Sequence, residues 1–214
     1  MIKNDIEIKK EIYSLIKGPF EIFDNFIYHD YVFVTEDYKT YLAKFEKKDF
    51  LHLIGISVYP MNERKFYDDY KDGKANYGVI NLNKTYNRTT INKKISVIKN
   101  LQAFIDNKLD GENLVIEDFK TLTAENEIFK YALRNDDRRY TLGFGIHNNA
   151  KSTRLELASV GTIRQKVICV LRKNRDAKEY TELIYISKNE SIQSILTKLK
   201  SPHHLTKDGC LILD

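Results

Sequence analysis

The stretch Thr-Thr-Ile-Asn-Lys-Lys-Ile-Ser-Val-Ile-Lys-Asn-Leu-Gln-Ala-Phe-Ile, residues 89–105, carries a clear periodic pattern. Its apolar side chains recur three or four positions apart, at Ile91, Ile95, Ile98, Leu101 and Ile105. Because that spacing places them along one side of an α-helix, the stretch predicts an amphipathic helix that begins after the two threonines. The segments before and after this helix predict different kinds of secondary structure.

The N-terminal side predicts helices and one β-hairpin, from helical spacing in some segments and β-branched or aromatic composition in others. The predicted elements are a helix over 4–17 stopped by Gly18-Pro19, hairpin strands over 27–34 and 38–45, a short helix from Phe50 capped by Asp49, and a helix over 62–71 that ends near Gly73.

The C-terminal side predicts short strands separated by polar or basic turns such as Arg172-Lys-Asn-Arg175. The strands are expected at 129–133, 140–146, 153–159, 167–171 and 182–186, and a final helix around Ile195 is stopped by Pro202. Segregation of helices and strands indicates the α+β class, with an N-terminal helix and β-hairpin, middle helices and a C-terminal antiparallel sheet.

Length and composition predict one domain over residues 1–214, with a helical extension over 1–26 and a helix and tail over 189–214. The chain has 214 residues, 42% of them hydrophobic and 30% charged, and no Pro/Gly/Ser-rich linker. Charges interrupt the N-terminus and no apolar run approaches a membrane span, so we expect a cytoplasmic protein without membrane contact. Cys169 lies in an apolar run, and we expect a core thiol rather than a disulfide.

The charge distribution predicts a positive side. The net charge is +5 and the pI about 8.9, and the basic residues gather in segments 84–108 and 151–178. Such a surface suits nucleic acid, although a solvated basic face without a ligand explains the same pattern.

The sequence lacks the motifs that mark several kinds of catalytic and binding site. Gly143-Phe-Gly145 lacks the third glycine of a dinucleotide site, and there is no phosphate loop, nucleophile elbow or metal-ligand spacing. His203-His204, with Asp208 and Cys210, is interpreted as a polar tail. We therefore expect no metal, no nucleotide and no other cofactor. RNA can still be a substrate, because its 2′-hydroxyl is a built-in nucleophile and an enzyme adds only a base, an acid and cations.

Residues 49–55, Asp-Phe-Leu-His-Leu-Ile-Gly, place His52 inside an apolar stretch directly after the hairpin. On composition alone, such a histidine is more often a hydrogen-bonded core residue. The order of parts is more informative: a hairpin, the pattern Phe-x-His-Leu-x-Gly, a helix containing Phe66-Tyr67, then a basic helix and a strand-rich half. Over residues 27–188 this order resembles the phage- and mobile-element-associated Barnase–EndoU–colicin–RelE-like nucleases, in the branch marked by that pattern.

The resemblance implies a small ribonuclease-like α+β fold with a central antiparallel sheet, metal-independent RNA cleavage, and residence on a phage or mobile element. It also implies that His52 belongs to an active site and that Gly55 lets the chain turn close to it.

Further site residues are predicted from side-chain chemistry, although each of them is individually more often a solvated or capping residue. Tyr140, Ser152 and Lys188 join His52 as the predicted catalytic residues, and His147 is a weaker candidate for a second acid or base. The predicted RNA-binding residues are the cations of the basic segments, Lys93, Lys94, Arg138, Arg139, Lys151, Arg154, Arg172 and Lys173.

The leading hypothesis is an endoribonuclease in which the RNA 2′-hydroxyl attacks the adjacent phosphorus. A non-catalytic phage-type inhibitor that binds RNA or a host defence ribonucleoprotein of the CRISPR type explains the basic helix equally well. A third interpretation is an inactive nuclease fold that serves as a structural module.

Overall fold

The structure, a computed structural model, describes residues 4–82, 87–109, 113–118, 131–135, 141–144, 164–178, 180, 182–199, 203–205 and 211–213. The contacts divide the chain into two compact units. Unit 1 comprises Met1–Asp30 and Lys44–Gln102, and unit 2 comprises Tyr31–Ala43 and Ala103–Asp214. The single domain expected over residues 1–214 stays a prediction.

The described elements confirm the α+β class. The helices are α1 (Asp5–Leu15), α2 (Lys17–Phe26), α3 (Asp49–Ile54), α4 (Glu63–Lys71), α5 (Arg88–Lys99), α6 (Leu101–Ile105) and α7 (Ile192–Lys198). The strands are β1 (His29–Thr35), β2 (Thr40–Lys44), β3 (Ser57–Val58), β4 (Ile80–Asn81), β5 (Leu114–Asp118), β6 (Tyr131–Asn135), β7 (Thr141–Phe144), β8 (Arg164–Asn174), β9 (Glu182–Ile186), β10 (His203–Leu205) and β11 (Leu211–Leu213).

The N-terminal segment folds into two helices where the sequence predicted one. Asn4 and Glu7 form a capping box that starts α1, which ends at Leu15. Gly18-Pro19 was expected to stop a helix but lies in the first turn of α2. Proline is tolerated there because the first-turn N–H groups of a helix have no intrahelical partner.

Aromatic side chains form much of the core of unit 1. The rings of Phe20, Phe23 and Phe50 each lie within 6.3 Å of the Tyr67 ring, and all four residues are buried. Burial of so many large rings supplies the main driving force for packing α2, α3 and α4 together.

Two helix boundaries differ from the sequence predictions. Asp49 is the first residue of α3 rather than its cap, and its carboxylate accepts a hydrogen bond of 2.8 Å from the Glu46 N–H. The helix predicted over 89–105 is interrupted at Asn100, whose side-chain amide donates to the Ser96 carbonyl at 2.9 Å. Asparagine competes in this way with the backbone bonds that would continue a helix.

The sheet of unit 2 has the strand order β2-β1-β8-β5-β6-β7, and β9 also pairs with β8. The first half of β8 pairs antiparallel with β5, through Lys166 opposite Val115, and the second half pairs antiparallel with β9, through Cys169 opposite Ile186. The predicted hairpin is confirmed as β1 and β2, and it joins a strand that lies far away in sequence.

The central residues of β8, Val167–Leu171, are all buried. Cys169 is the core thiol that was expected, and burial raises its pKa to about 12. Strand β5 was not predicted individually, and the strand predicted at 153–159 lies outside the described residues.

Two segments that were interpreted as loops are strands. Arg172, Lys173 and Asn174 end β8 instead of forming a turn, and the turn follows at residues 175–176. His203 and His204 lie in β10, which pairs antiparallel with β11, so the segment interpreted as a polar tail contains two paired strands. In both segments, pairing with a neighbouring strand stabilises the extended conformation although the composition is polar. Among the described helices, none is both long and apolar enough to span a membrane.

Candidate active site

A groove of about 270 Å³ opens on unit 1 beside His52. We call it the His52 groove. Apolar and polar residues line it together, and the polar side chains come from α3, from α5 and its N-cap, and from the short β3–β4 pair. The polar lining residues are His52, Ser57, Asn81, Asn87, Thr90 and Lys94.

His52 lies in the last turn of α3, and its side chain is exposed. The neighbouring residues of the motif, Phe50, Leu51 and Ile54, are fully buried. The apolar residues thus anchor the short helix in the core and leave the histidine at the surface. This placement differs from that of a core histidine, which was the commoner interpretation of its composition.

Gly55 ends α3 in the left-handed conformation, with φ of +76°. Its N–H donates to the His52 carbonyl at 3.1 Å. A Cβ atom at this position would lie 2.9 Å from Cδ of Lys94. Glycine therefore serves two purposes here, since it adopts the positive φ without strain and lets α5 come close to the end of α3.

Lys94 links α5 to the histidine turn. Its ammonium donates to the His52 carbonyl at 3.3 Å, and the residue as a whole is partly buried. One of its three N–H groups is used in this contact, so the ammonium keeps donors for a ligand in the groove. A cation near the C-terminal end of α3 also interacts favourably with the helix dipole.

The first turn of α5 forms another wall of the groove. The Asn87 side chain caps the helix by accepting from the Thr90 N–H at 3.2 Å. The α5 sequence contains four basic residues and no acidic residue. The positive end of the helix dipole, the Thr90 hydroxyl and Lys94 therefore make this side of the groove favourable to an anion.

The groups in the groove suit chemistry on a phosphate ester. Imidazole exchanges protons near neutral pH, an ammonium stabilises developing negative charge, and the Ser57 and Thr90 hydroxyls donate or accept hydrogen bonds. Within the described ranges, no group of three or more His, Cys, Asp or Glu side chains could hold a metal ion.

Other predicted site residues have different surroundings. Lys93, next to Lys94 on α5, is exposed. In unit 2, Arg172 donates to Glu182 and hydrogen-bonds the buried Tyr31, while the Lys173 ammonium donates to the Ala177 carbonyl and lies 5.3 Å from the Tyr180 ring centroid. Lys188 is exposed in the turn after β9. The roles assigned to these residues stay predictions.

Several predicted residues lie outside the described part of the chain. They are Arg138, Arg139, Tyr140, His147, Lys151, Ser152 and Arg154.

The groove also contains residues that the sequence did not single out, notably Ser57 and Asn81. These two residues are directly opposite each other in the antiparallel pair of β3 and β4. Each strand has only two residues, which is too short for a pattern of alternation to be recognised. Asn87 could have been recognised from the sequence, because asparagine is a favoured N-cap residue and Asn87 lies just before the helical pattern.

An α+β fold with a histidine and a lysine in one groove is compatible with a small nuclease. The chain matches the family described as phage-Barnase-EndoU-ColicinE5/D-RelE like nuclease4 over residues 16–198, and it belongs to that family. This confirms the resemblance found in the sequence and implies a nucleic-acid substrate. Comparisons with curated proteins and with solved structures found no match.

Proposed function

We propose that this chain is a metal-independent endoribonuclease, encoded by a phage or mobile element, that acts through His52. The observation that carries the proposal is the exposed His52 in a groove where the Lys94 ammonium touches its carbonyl. Membership in a nuclease family makes nucleic acid the substrate, and the groove that contains His52 has a volume of about 270 Å³.

In the proposed reaction a base removes the proton from the RNA 2′-hydroxyl, and O2′ attacks the adjacent phosphorus. The bond from phosphorus to O5′ breaks, and an acid gives O5′ a proton. The products are a 2′,3′-cyclic phosphate and a 5′-hydroxyl. His52 serves as the base or the acid, because an imidazole ring can accept a proton or donate one.

Lys94 and the first turn of α5 support the proposal through electrostatics. The pentavalent phosphorus of the transition state carries more negative charge on its oxygens than the substrate does. An ammonium and helix N–H groups that are already in place stabilise that charge without reorganising. The partner acid or base is assigned among Tyr140, Ser152 and Lys188 on side-chain chemistry alone, and the remaining predicted cations are assigned to binding the RNA backbone.

The test is to incubate the purified protein with end-labelled tRNA, guide-like RNA and unstructured RNA in excess EDTA, beside His52→Gln. The matched control is His29→Gln, which changes another histidine of unit 1 whose Nδ1 lies 2.9 Å from the Asn25 carbonyl oxygen. We expect cleavage to cyclic-phosphate ends by the wild type and the control, and no cleavage by folded His52→Gln.

Other outcomes decide against the proposal. Intact RNA with tight, salt-sensitive, stoichiometric binding would favour the inhibitor of RNA or of a host defence complex. Cleavage that stops in EDTA and returns with a divalent cation would exclude the metal-independent reaction. Equal cleavage by His52→Gln and the wild type would remove His52 from the active site.

A further inference from the structure

Tyr59 is the most exposed large hydrophobic side chain among the described residues, with 74% of its surface accessible. Another exposed tyrosine of unit 1, Tyr28, is engaged: the Lys71 ammonium donates to its hydroxyl at 2.5 Å and lies 5.0 Å from its ring centroid. Within the described part of the chain, no side chain hydrogen-bonds or stacks on the Tyr59 ring. The ring of Tyr59 therefore offers a large apolar face to a ligand.

The position of Tyr59 relates its ring to the His52 groove. The Tyr59 N–H donates to the Val79 carbonyl at 2.8 Å, which extends the pairing of β3 with β4 by one residue. Ser57, two residues earlier, lines the groove. In extended chain, residues i and i+2 are about 7 Å apart and project to the same side. The backbone of Tyr59 is thus held by a hydrogen bond two residues from Ser57, a lining residue of the groove.

We propose that Tyr59 stacks an unpaired base of a nucleic acid whose phosphate occupies the His52 groove, so that the substrate class is single-stranded nucleic acid. The inference rests on the proposed function, which places a phosphate between His52 and Lys94. An α5 with basic residues and no acids complements the phosphate, and a free aromatic face complements a base. Bases inside a duplex are already stacked on one another and present no face to Tyr59.

The experiment uses the full chain and a single-stranded DNA oligonucleotide that contains 2-aminopurine, whose fluorescence falls when the base stacks on an aromatic ring. DNA lacks the 2′-hydroxyl nucleophile, so binding is measured without cleavage. The variants are Tyr59→Ala, Tyr59→Phe and the control Tyr28→Ala. The same oligonucleotide in duplex form tests the preference for single strands.

We expect Tyr59→Ala to bind the single strand roughly 5- to 100-fold more weakly and to lose the fluorescence change. Tyr59→Phe keeps both, because it retains the ring, and Tyr28→Ala behaves as the wild type does. Equal binding by Tyr59→Ala and wild type would overturn the inference, as would duplex binding as tight as single-strand binding or no binding of the probe at all. Tyr59-dependent binding with RNA left intact would support the inference and count against the ribonuclease proposal alone.

Discussion

At the scale of single residues, two backbone positions of unit 1 favour glycine, and one of them lies at the groove. Gly55 and Gly73 both have positive φ, +76° and +69°, and each lies just after a helix. They differ in their surroundings, because a Cβ atom at Gly55 would meet Lys94 whereas one at Gly73 would meet nothing within 4 Å. The two positions therefore separate backbone strain from disturbance of the groove.

Gly55→Ala and Gly73→Ala should each lower the free energy of unfolding by about 1–2 kcal/mol, since alanine is strained in the left-handed region. Only Gly55→Ala displaces the Lys94 side chain, and only that variant should also slow RNA cleavage. Urea denaturation and a cleavage time course check the two effects. Equal cleavage rates for both variants would show that the Lys94 contact has no part in the reaction.

Lys94 and Lys93 form a second matched pair, adjacent on α5 but with different surroundings. Lys94→Met should reduce the cleavage rate by roughly 100-fold, the scale seen when one preorganised donor to a transition-state oxyanion is removed. Lys93→Met removes an exposed charge and should weaken RNA binding slightly without a comparable loss of rate. Single-turnover rates at saturating protein distinguish the two, and similar losses for both would contradict the role given to Lys94.

At the scale of elements, helix caps hold the walls of the groove in place. Asn87 caps α5, which lines the groove, and Asn62 caps α4, which does not, through a hydrogen bond of 2.8 Å from the Lys65 N–H. Both caps are asparagine side chains that accept a hydrogen bond from a backbone N–H, but only Asn87 lines the groove.

We expect Asn87→Ala and Asn62→Ala to cost a similar amount of stability, about 1 kcal/mol each. Asn87→Ala should in addition weaken binding of the 2-aminopurine oligonucleotide, because the first turn of α5 frays at the groove. Thermal unfolding and the fluorescence titration measure the two quantities. A loss of binding in Asn62→Ala of the same size would mean that general destabilisation explains both.

At the scale of the whole molecule, unit 2 is assembled from distant parts of the chain. Strand β1 is hydrogen-bonded to β8 although more than 100 residues separate them, and this pairing buries Tyr31 to 1% exposure. Burial raises the pKa of Tyr31 to about 12, against the opposing hydrogen bond from Arg172.

Because the pKa of Tyr31 is raised, the free energy of unfolding decreases as the pH rises above about 10. The contribution of neutral Tyr31 is fully present below pH 10, the pKa of an unfolded tyrosine, and is lost as the pH rises toward about 12. Tyr31→Phe should therefore lose less unfolding free energy than the wild type over this range, by about 2 kcal/mol at most. Urea titrations at a series of pH values measure the difference, and parallel curves would contradict the burial of a titrating phenol.

Some features of the fold and the site were predictable because their signals are local. Ile91, Ile95 and Ile98 repeat with the helical period and are buried in α5. Thr35-Glu-Asp37 separates two apolar runs, and the chain turns at residues 36–37 between β1 and β2. The His52 motif likewise led to the family that the comparison confirmed. The break at Asn100 and the helical position of Pro19 were missed, since each depends on which backbone groups still need a partner.

The α+β class, the helix stripes, the hairpin and the family follow from local sequence, because periodicity, turn chemistry and a short motif lie within a few adjacent residues. Three further features became visible in the folded chain: β1 pairs with β8, Arg172 lies in a strand beside Glu182, and Lys94 reaches the carbonyl of His52. These contacts join residues far apart in the chain. Their formation depends on closing long loops and on packing against surfaces that exist only once the chain has folded.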